Sequence, residues 1–532
     1  MLIRRSSPLW AFILALILTV TAACSKSHIQ QSPMPSDNRT ASGKPKVIML
    51  LIDSLRAASI DRLLKENKLP AIGFFVKNGV YKRDVVSSFP TMSVSIDSSM
   101  LTGTYPDEHN IPGLLWFHPS ERRIVNYGDG QRAVWQQGPV NLLADTLMNL
   151  NQIHLSKRVL TIHEELHRAG FTSASINGLI YRGDVAHQLV FPNELLSLVM
   201  GGGSMTVMGP NLLGFGALSK VSSAPLPTGP AHAYGFHDEY TLQSLLQLIK
   251  EGTLPDVTFA YFPDLDGKLH KKGPDDVSGV LEVDERLKRL LDAFGDWERA
   301  LDEHVFILLG DSGVTATVAE KNAAVIDLDK LIHARGYRNT PLGRTAVPDD
   351  DVAIAVNGRM CYVYSLSPRA PLSALVPLFA SEPRIDLVAW KEQDWIHVRR
   401  GGKWLRYREG RAYLDEYGNA WDVEGDWSVL GLALQGKDRR IGSREYPDAL
   451  SRLKGSLYSH HGEFLVATAV PGAEFYVNRS PNHPGGGNHG SLHREDSLVP
   501  MIVAGKGRIP SLPKRQVEIK SLVLSLVQRK WQ

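Results

Sequence analysis

The chain has 532 residues, 43% hydrophobic and 22% charged, with 46 glycines and 31 prolines, a globular composition that excludes collagen-like, low-complexity and wholly disordered classes. Its 59 basic and 56 acidic side chains leave a formal charge of only +3. Such a field does not concentrate a protein on nucleic acid, so no nucleic-acid polymer is expected as a partner and any anionic substrate must be recognised locally.

Arg4-Arg5, the apolar stretch Leu9–Val20 and the small residues Thr21-Ala22-Ala23 before Cys24 read as a secretory signal. The apolar run is about 12 residues, short of the ~20 that a membrane span needs. Small residues before a cysteine resemble the bacterial lipobox, although Thr21 stands where leucine is usual. That resemblance implies removal of residues 1–23, lipidation of Cys24, and an extracytoplasmic protein held to a bacterial cell membrane by a lipid anchor. Residues 24–43 are rich in Ser and Pro without apolar periodicity and read as a flexible tether, with the folded part starting near Lys44. Only Cys361 then remains, so the exported domain has no internal disulfide.

Val47–Ile52 is an unbroken apolar run of strand length, as expected inside a parallel sheet covered on both faces. Helix-like Ile162–Ala169, Glu239–Glu251 and Val280–Phe294 alternate with strand-like Ser173–Ile176, Val257–Phe262 and Val305–Leu309. This βαβ alternation predicts an α/β fold with a doubly wound, mainly parallel sheet and helices on both faces. Residues 349–437 change character, with short strands around one helix at Leu372–Phe379, and read as an inserted small α+β cap subdomain between two parts of the main domain, 44–348 and 438–532. The insert carries Trp390, Trp395, Trp404, Trp421 and Trp427, either as its core or as the lining of a substrate cleft. Val517–Arg529 reads as a closing helix.

In doubly wound sheets functional groups collect at the carboxyl ends of strands. Here Asp53 follows VIMLLI, Asp264 and Asp266 follow VTFAYF, and Asp311 follows VFILLG. A carboxylate after an apolar strand is costly to bury unpaired; a single one commonly caps a helix, but several that converge need a cation between them. His270 and His489 add nitrogen donors.

The segments IDSLR, SSFPTMSVSIDSSMLTGTYPDEHNIPG, DGKLHKKGP, GDSGVT and NHGSLHREDSLVPMIVAG, in that order, resemble the nucleotide pyrophosphatase/phosphodiesterase branch of the alkaline phosphatase superfamily. Each segment is weak evidence, whereas the ordered set is specific and covers most of residues 44–532. The resemblance implies a hydrolase of phosphate esters with two divalent metal ions: one bound by Asp266, His270 and His489, the other by Asp53, Asp311 and the nucleophile. It places the nucleophilic hydroxyl nine residues before Thr102, at Ser93, with Thr91 the competing choice. Nitrogen and oxygen donors suit zinc, with Mn or Mg as alternatives. The same run of hydroxyls and Asp97 also reads as a helix start.

Two departures matter. Ser312 stands where the family has a metal-binding histidine, which favours a weaker site, a harder cation such as Mn or Mg there, or a ligand recruited from a position the sequence does not reveal. Leu114 stands where the family uses an asparagine to hold a phosphoryl oxygen, leaving Asn110 as the nearby amide. The expectation is therefore a small-molecule phosphodiester or nucleotide pyrophosphate hydrolase acting through a phosphoryl-enzyme intermediate; the alternatives are an impaired scaffold that binds a ligand or partner, and an envelope phospho-substituent transferase.

His163-Glu164-Glu165-Leu166-His167 fits the zinc-protease pattern, but its helix stops at Gly170 and the bland reading is a charged helix face. Gly485–Gly487 let the backbone approach the metal beside His489. His493 and Asp496 are candidates for orienting ligands, and His460, His461 and His483 read as loop histidines.

Overall fold

The computed structural model describes residues 45–128, 139–191, 202–436, 439–507 and 509–528. Cys24, the signal and the tether lie outside the described residues. The expected sheet is present, with seven strands: β1 (Lys46–Ile52), β2 (Gly79–Val86), β3 (Ser173–Ile176), β4 (Leu212–Gly214), β5 (Val257–Phe262), β6 (His304–Gly310) and β7 (Leu498–Ala504). Their spatial order is β2-β7-β6-β1-β5-β3-β4. The five from β6 to β4 run parallel, and β7 and β2 complete one edge in antiparallel pairs.

Residues 47–52 are fully buried, and the pleat divides them between two cores. Met49 and Leu51 enter one; Ile48, Leu50 and Ile52 enter the other, against Leu242, Leu245 and Leu248 of the helix Asp238–Glu251 and Val280, Val283 and Leu287 of the helix Ser278–Asp292. That two-sided demand is why β1 is an uninterrupted apolar run. Register then positions the site: Ile52 lies opposite both Gly310 and Phe262, so Asp53, Asp311 and the residues after β5 emerge at one level of one sheet edge.

The second layer departs from the expected insert. A nine-stranded sheet takes seven strands from Val352–Asn357 to Leu432–Gln435, within 349–437, but also Arg440–Ser443 and Phe464–Ala469 beyond it. Phe464–Ala469 inserts between Met360–Ser365 and Ile385–Glu392, well beyond residue 437, because its wholly buried run FLVATA needs a partner on each edge and cover on each face. Tyr362, Ala389, Val398 and Leu405 share one continuous core with Met49 and Leu51, so this sheet is packed onto the main domain. The closing helix forms at Ile519–Gln528, after a short turn at Gln516–Glu518.

Candidate active site

The sheet edge opens into a cleft lined by Asp53, Ser93, Asp266, His270 and His489. Asp266 and His270 lie on the helix α2 (Asp264–Lys272), four residues apart and therefore on one face. His489 arrives from the loop after Gly487–Asn488. The ligand atoms of the three lie within 4.8 Å of one another, with the Asp266 Oδ1 atom 3.2 Å from His270 Nε2 and 3.4 Å from His489 Nε2. Both imidazoles are oriented from behind: His270 Nδ1 donates to the Gly487 carbonyl at 2.8 Å and His489 Nδ1 to the Thr91 carbonyl at 2.6 Å. A backbone acceptor on Nδ1 leaves Nε2 as the inward donor atom, the arrangement that supports metal-bound histidines. Two imidazoles and a carboxylate are a donor set that suits zinc.

The charges in this triad are strongly linked. Burial works against ionisation of Asp266, but the adjacent His270 and His489 hold its carboxyl well below the usual range. Burial likewise opposes a charged His489, yet Asp266 keeps it up at about 9. Glycine permits the close approach: a Cβ on Gly486 would sit 2.0 Å from the His270 carbonyl oxygen.

Asp311 and Ser312, after β6, are not among the cleft-lining residues; the Asp311 Oδ1 atom accepts from the N–H groups of Ser54 and Ser312 at 2.8 and 2.6 Å, while its buried Oδ2 has no hydrogen-bond partner. Asp53 accepts from the Tyr261 hydroxyl. Burial, followed by the fields of Asp311 and Asp266, raises the Asp53 carboxyl well above its ordinary value. Ser312 is buried with its hydroxyl 3.4 Å from that of Ser54, which in turn donates to Asp266 Oδ1 at 2.9 Å. Ser54, held in the left-handed region at φ 61°, thus ties the two halves together. Among the described residues, Asp53 and Asp311 do not join a third His, Cys, Asp or Glu in a triad as tight as that around Asp266.

Ser93 is the first residue of the helix α1 (Ser93–Thr102) and lines the cleft. Its position is where the unpaired N–H groups of the first turn emerge, a setting that favours phosphate. No side chain caps this helix; Met92 is the residue before it. Thr91 is differently engaged: buried, its hydroxyl donates to the Ser491 carbonyl at 3.3 Å and accepts from the Gly490 N–H at 2.8 Å. Asn110 occupies the left-handed position that ends the short helix Pro106–His109 and is not among the cleft-lining residues, whereas Leu114 is. Met92, Leu179 and Val356, like Leu114, are apolar residues of the cleft lining.

The remaining histidines divide sharply. His163 is buried, with Nδ1 3.0 Å from the Ser173 hydroxyl, and His167 is exposed, so the protease-like pair shares no ligand site; Glu164 instead closes a capping box and meets Arg182 at 3.1 Å. His483 lines the cleft and stacks on His270 at 4.2 Å between ring centroids. His460 stacks on Phe464, so of the three loop histidines only His461 is exposed. Asp496 is buried against Arg359 at 2.6 Å and accepts from the Ser491 N–H at 2.9 Å, fastening the turn that carries His489; His493 caps the short helix Arg494–Ser497. None of the insert's five tryptophans lines the cleft; Trp421 packs on Tyr407 and donates to Asp415. Sequence reading missed Ser54, Tyr261 and His483, and took Asp97 only as a helix-start residue.

A parallel sheet with acidic strand ends, a two-histidine, one-carboxylate cluster and a hydroxyl at a helix N-terminus defines a phosphoester hydrolase of the alkaline phosphatase superfamily. The sequence profile of the type I phosphodiesterase / nucleotide pyrophosphatase family matches residues 47–491, and the chain belongs to that family. Murine ectonucleotide pyrophosphatase/phosphodiesterase 5 shares its fold at TM-score 0.55 and 14% identity, covering 92% of this chain and 96% of the murine one. Phosphonoacetate hydrolase from Sinorhizobium meliloti, solved with phosphonoacetate, does so at TM-score 0.53 and 14% identity, with 91% and 96% covered. None of the curated proteins matches the chain in sequence.

Proposed function

We propose that this enzyme hydrolyses small phosphodiesters or nucleotide pyrophosphates through a phosphoserine at Ser93, with two divalent cations. The observation that carries the reading is the cluster of Asp266, His270 and His489 in the same cleft as Ser93 at the start of α1. Solved relatives bind small phosphorus acids: an inactive variant of the murine protein was solved with AMP.

When bound, the cations lower the pKa of the attacking hydroxyl and neutralise charge developing on the phosphoryl oxygens. Asp266, His270 and His489 would hold one; Asp53, Asp311 and the Ser93 hydroxyl would hold the other. Ser93 Oγ forms a bond to phosphorus as the ester oxygen opposite departs with its electron pair, and water then displaces Ser93 to release the phosphate product. The first turn of α1 receives the phosphoryl oxygens, and the apolar lining residues Met92, Leu114, Leu179 and Val356 reduce the water around the bound ester. Nothing among these four offers the amide that the family uses at the position of Leu114, and Asn110 does not line the cleft to replace it.

We also propose lipidation at Cys24 and an extracytoplasmic location on a bacterial membrane, supported by the N-terminal sequence. Among the described residues no helix is long and apolar enough to cross a membrane.

The test is hydrolysis of bis-p-nitrophenyl and mono-p-nitrophenyl phosphate, with and without chelator, beside Ser93→Ala. Chelator-sensitive diesterase activity that disappears in the variant supports the reading. Equal wild-type and variant rates favour a binding scaffold, the alternative that Ser312 and Leu114 support. Trapped phosphoenzyme with little net hydrolysis points to a transferase.

A further inference from the structure

A second cluster of metal-type donors lies outside the cleft. His118, Glu121 and His154 bring their ligand atoms within 4.8 Å of one another, a span that Asp266, His270 and His489 also meet, and none of the three is among the cleft-lining residues. They come from two elements. His118 ends the first strand of the hairpin formed by Leu115–His118 and Arg123–Asn126, Glu121 sits in its turn, and His154 ends the segment Asp145–His154. That segment is wound as a π-helix, a rare form found mostly at functional sites.

Each imidazole has an oxygen behind it. His154 Nδ1 lies 2.7 Å from the Tyr127 hydroxyl, which accepts from Trp116 Nε1 at 3.2 Å. His118 Nδ1 lies 3.2 Å from the Ser120 hydroxyl. A proton on Nδ1, donated to that oxygen, leaves Nε2 as the lone-pair atom, the tautomer that metal ligation uses. In His118 this tautomer gives up only a long contact, 3.3 Å, from the Glu121 N–H. His118 Nε2 is 3.8 Å from Glu121 Oε1, too far for a hydrogen bond. Two donors on one tetrahedral zinc, each ~2.1 Å from it, stand roughly 3.4 Å apart, so a small adjustment of an exposed side chain closes the site.

The local charge favours a cation. Glu121 and Asp145 set two negative charges against the single charge of Arg123, which binds Glu121 Oε2 at 2.6 Å and the two oxygens of Asp145 at 2.6 and 2.9 Å. Oε1 of Glu121 is left on the imidazole side. Glu121 is exposed and both imidazoles are only partly buried, which opens the cluster to an ion from solvent.

We propose that His118, Glu121 and His154 bind a Zn²⁺ ion that clasps the hairpin to the π-helix, with water completing a four-coordinate shell. Two imidazoles and one carboxylate are a zinc donor set. The clasp steadies backbone that leads to the cleft: the Tyr127 N–H donates to the Leu114 carbonyl at 3.1 Å and the Asn151 amide to the Leu179 carbonyl at 2.9 Å, and both leucines are lining residues. This ion is structural and separate from the cations of the proposed reaction.

The experiment is zinc binding by the purified full chain, stripped with chelator, dialysed against Zn²⁺ and counted by elemental analysis. His118→Gln and Glu121→Gln each remove one clasp ligand from a side chain that solvent reaches. His270→Gln disables the cleft cluster and leaves the clasp intact. Each clasp variant is expected to hold one zinc fewer than wild type, with affinity for that equivalent lowered about 100-fold or more. Metal-free His118→Gln is expected to melt with metal-free wild type. Zn²⁺ is expected to raise the melting temperature of His270→Gln, and to raise it much less when His118→Gln is added. Equal zinc content and equal zinc-dependent melting in wild type, His118→Gln and Glu121→Gln overturn the clasp and leave the hydrolase reading standing. A His270→Gln protein that binds no zinc also overturns the clasp, and assigns the wild-type metal to the cleft alone.

Discussion

The Nδ1 atom of His489 donates to the carbonyl oxygen of Thr91 across 2.6 Å, joining a candidate metal ligand to the segment that carries the candidate nucleophile two residues later. Thr91 and the loop after His489 are interlocked further, through Gly490 and Ser491. The two hydroxyls of the Thr91–Ser93 segment are therefore expected to part company on substitution. Ser93→Ala should lose at least about 1,000-fold in diesterase kcat with an unchanged melting temperature. Thr91→Val strands a buried N–H and a buried carbonyl, and should cost about 2 kcal/mol of stability. Paired denaturation and activity measurements check both; a stable, inactive Thr91→Val beside an active Ser93→Ala reverses the assignment.

The pH dependence of the zinc-type cluster follows from His489. With folded value about 9 against an ordinary 6.5, its charged form contributes stability to the metal-free protein that is fully present below about 6.5 and lost as pH rises through about 9. Zinc requires the neutral ring, so binding expels that proton and affinity should climb about tenfold per pH unit until pH nears 9. Competition with a chelating dye across this interval, alongside melting of chelator-treated protein, reads both trends. A pH-independent zinc affinity contradicts them.

Arg359 and Asp496 form an ion pair at 2.6 Å with both side chains fully buried, and Arg359 also donates to the Ala469 carbonyl at 3.0 Å. The pair fastens the second sheet to the turn bearing His489. Arg359→Met leaves buried Asp496 without its charged partner, with only the Ser491 N–H and the Thr315 hydroxyl donating to it, and should destabilise the protein by about 3–5 kcal/mol. Urea denaturation measures this. The double variant Arg359→Met, Asp496→Leu should recover much of the loss, and equal instability in single and double variants would argue against the charge as its cause.

Leu114 lines the cleft at the position where the family resemblance expects an amide. Leu114→Asn should raise diesterase kcat/KM by roughly tenfold, a fraction of what one well-placed oxyanion donor provides. Steady-state kinetics on bis-p-nitrophenyl phosphate decide it. A fall in kcat/KM with unchanged stability would show that the apolar lining serves the substrate this enzyme prefers.

His167, exposed at the end of its helix and apart from the buried His163, offers the control for the protease-like motif. His167→Ala should change stability by no more than about 0.5 kcal/mol and leave diesterase activity intact. A loss of bound zinc in this variant would revive that motif.

Asp53, Asp311 and His270 were legible in the chain because their signals are local: an acid directly after a buried strand, or a histidine one helical turn from an acid, Asp266; His489, in a loop, was legible only through the ordered set of family motifs. The alternation of strands and helices, and so the doubly wound sheet, was legible for the same reason, since apolar runs announce two-sided burial residue by residue. Asp97 gave no such signal. In sequence it sits among serines at a helix start, and its burial without a hydrogen-bond partner exists only in the folded chain. The membership of Phe464–Ala469 in the second sheet was equally hidden, because pairing with strands about 70 and about 100 residues earlier in the chain leaves no periodic trace in any of them. Local composition and spacing determined which elements form and which donors this protein possesses. Tertiary packing decided which donors lie together and which hydroxyl lines the cleft, because burial, hydrogen-bond satisfaction and charge compensation depend on neighbours brought together from distant parts of the chain.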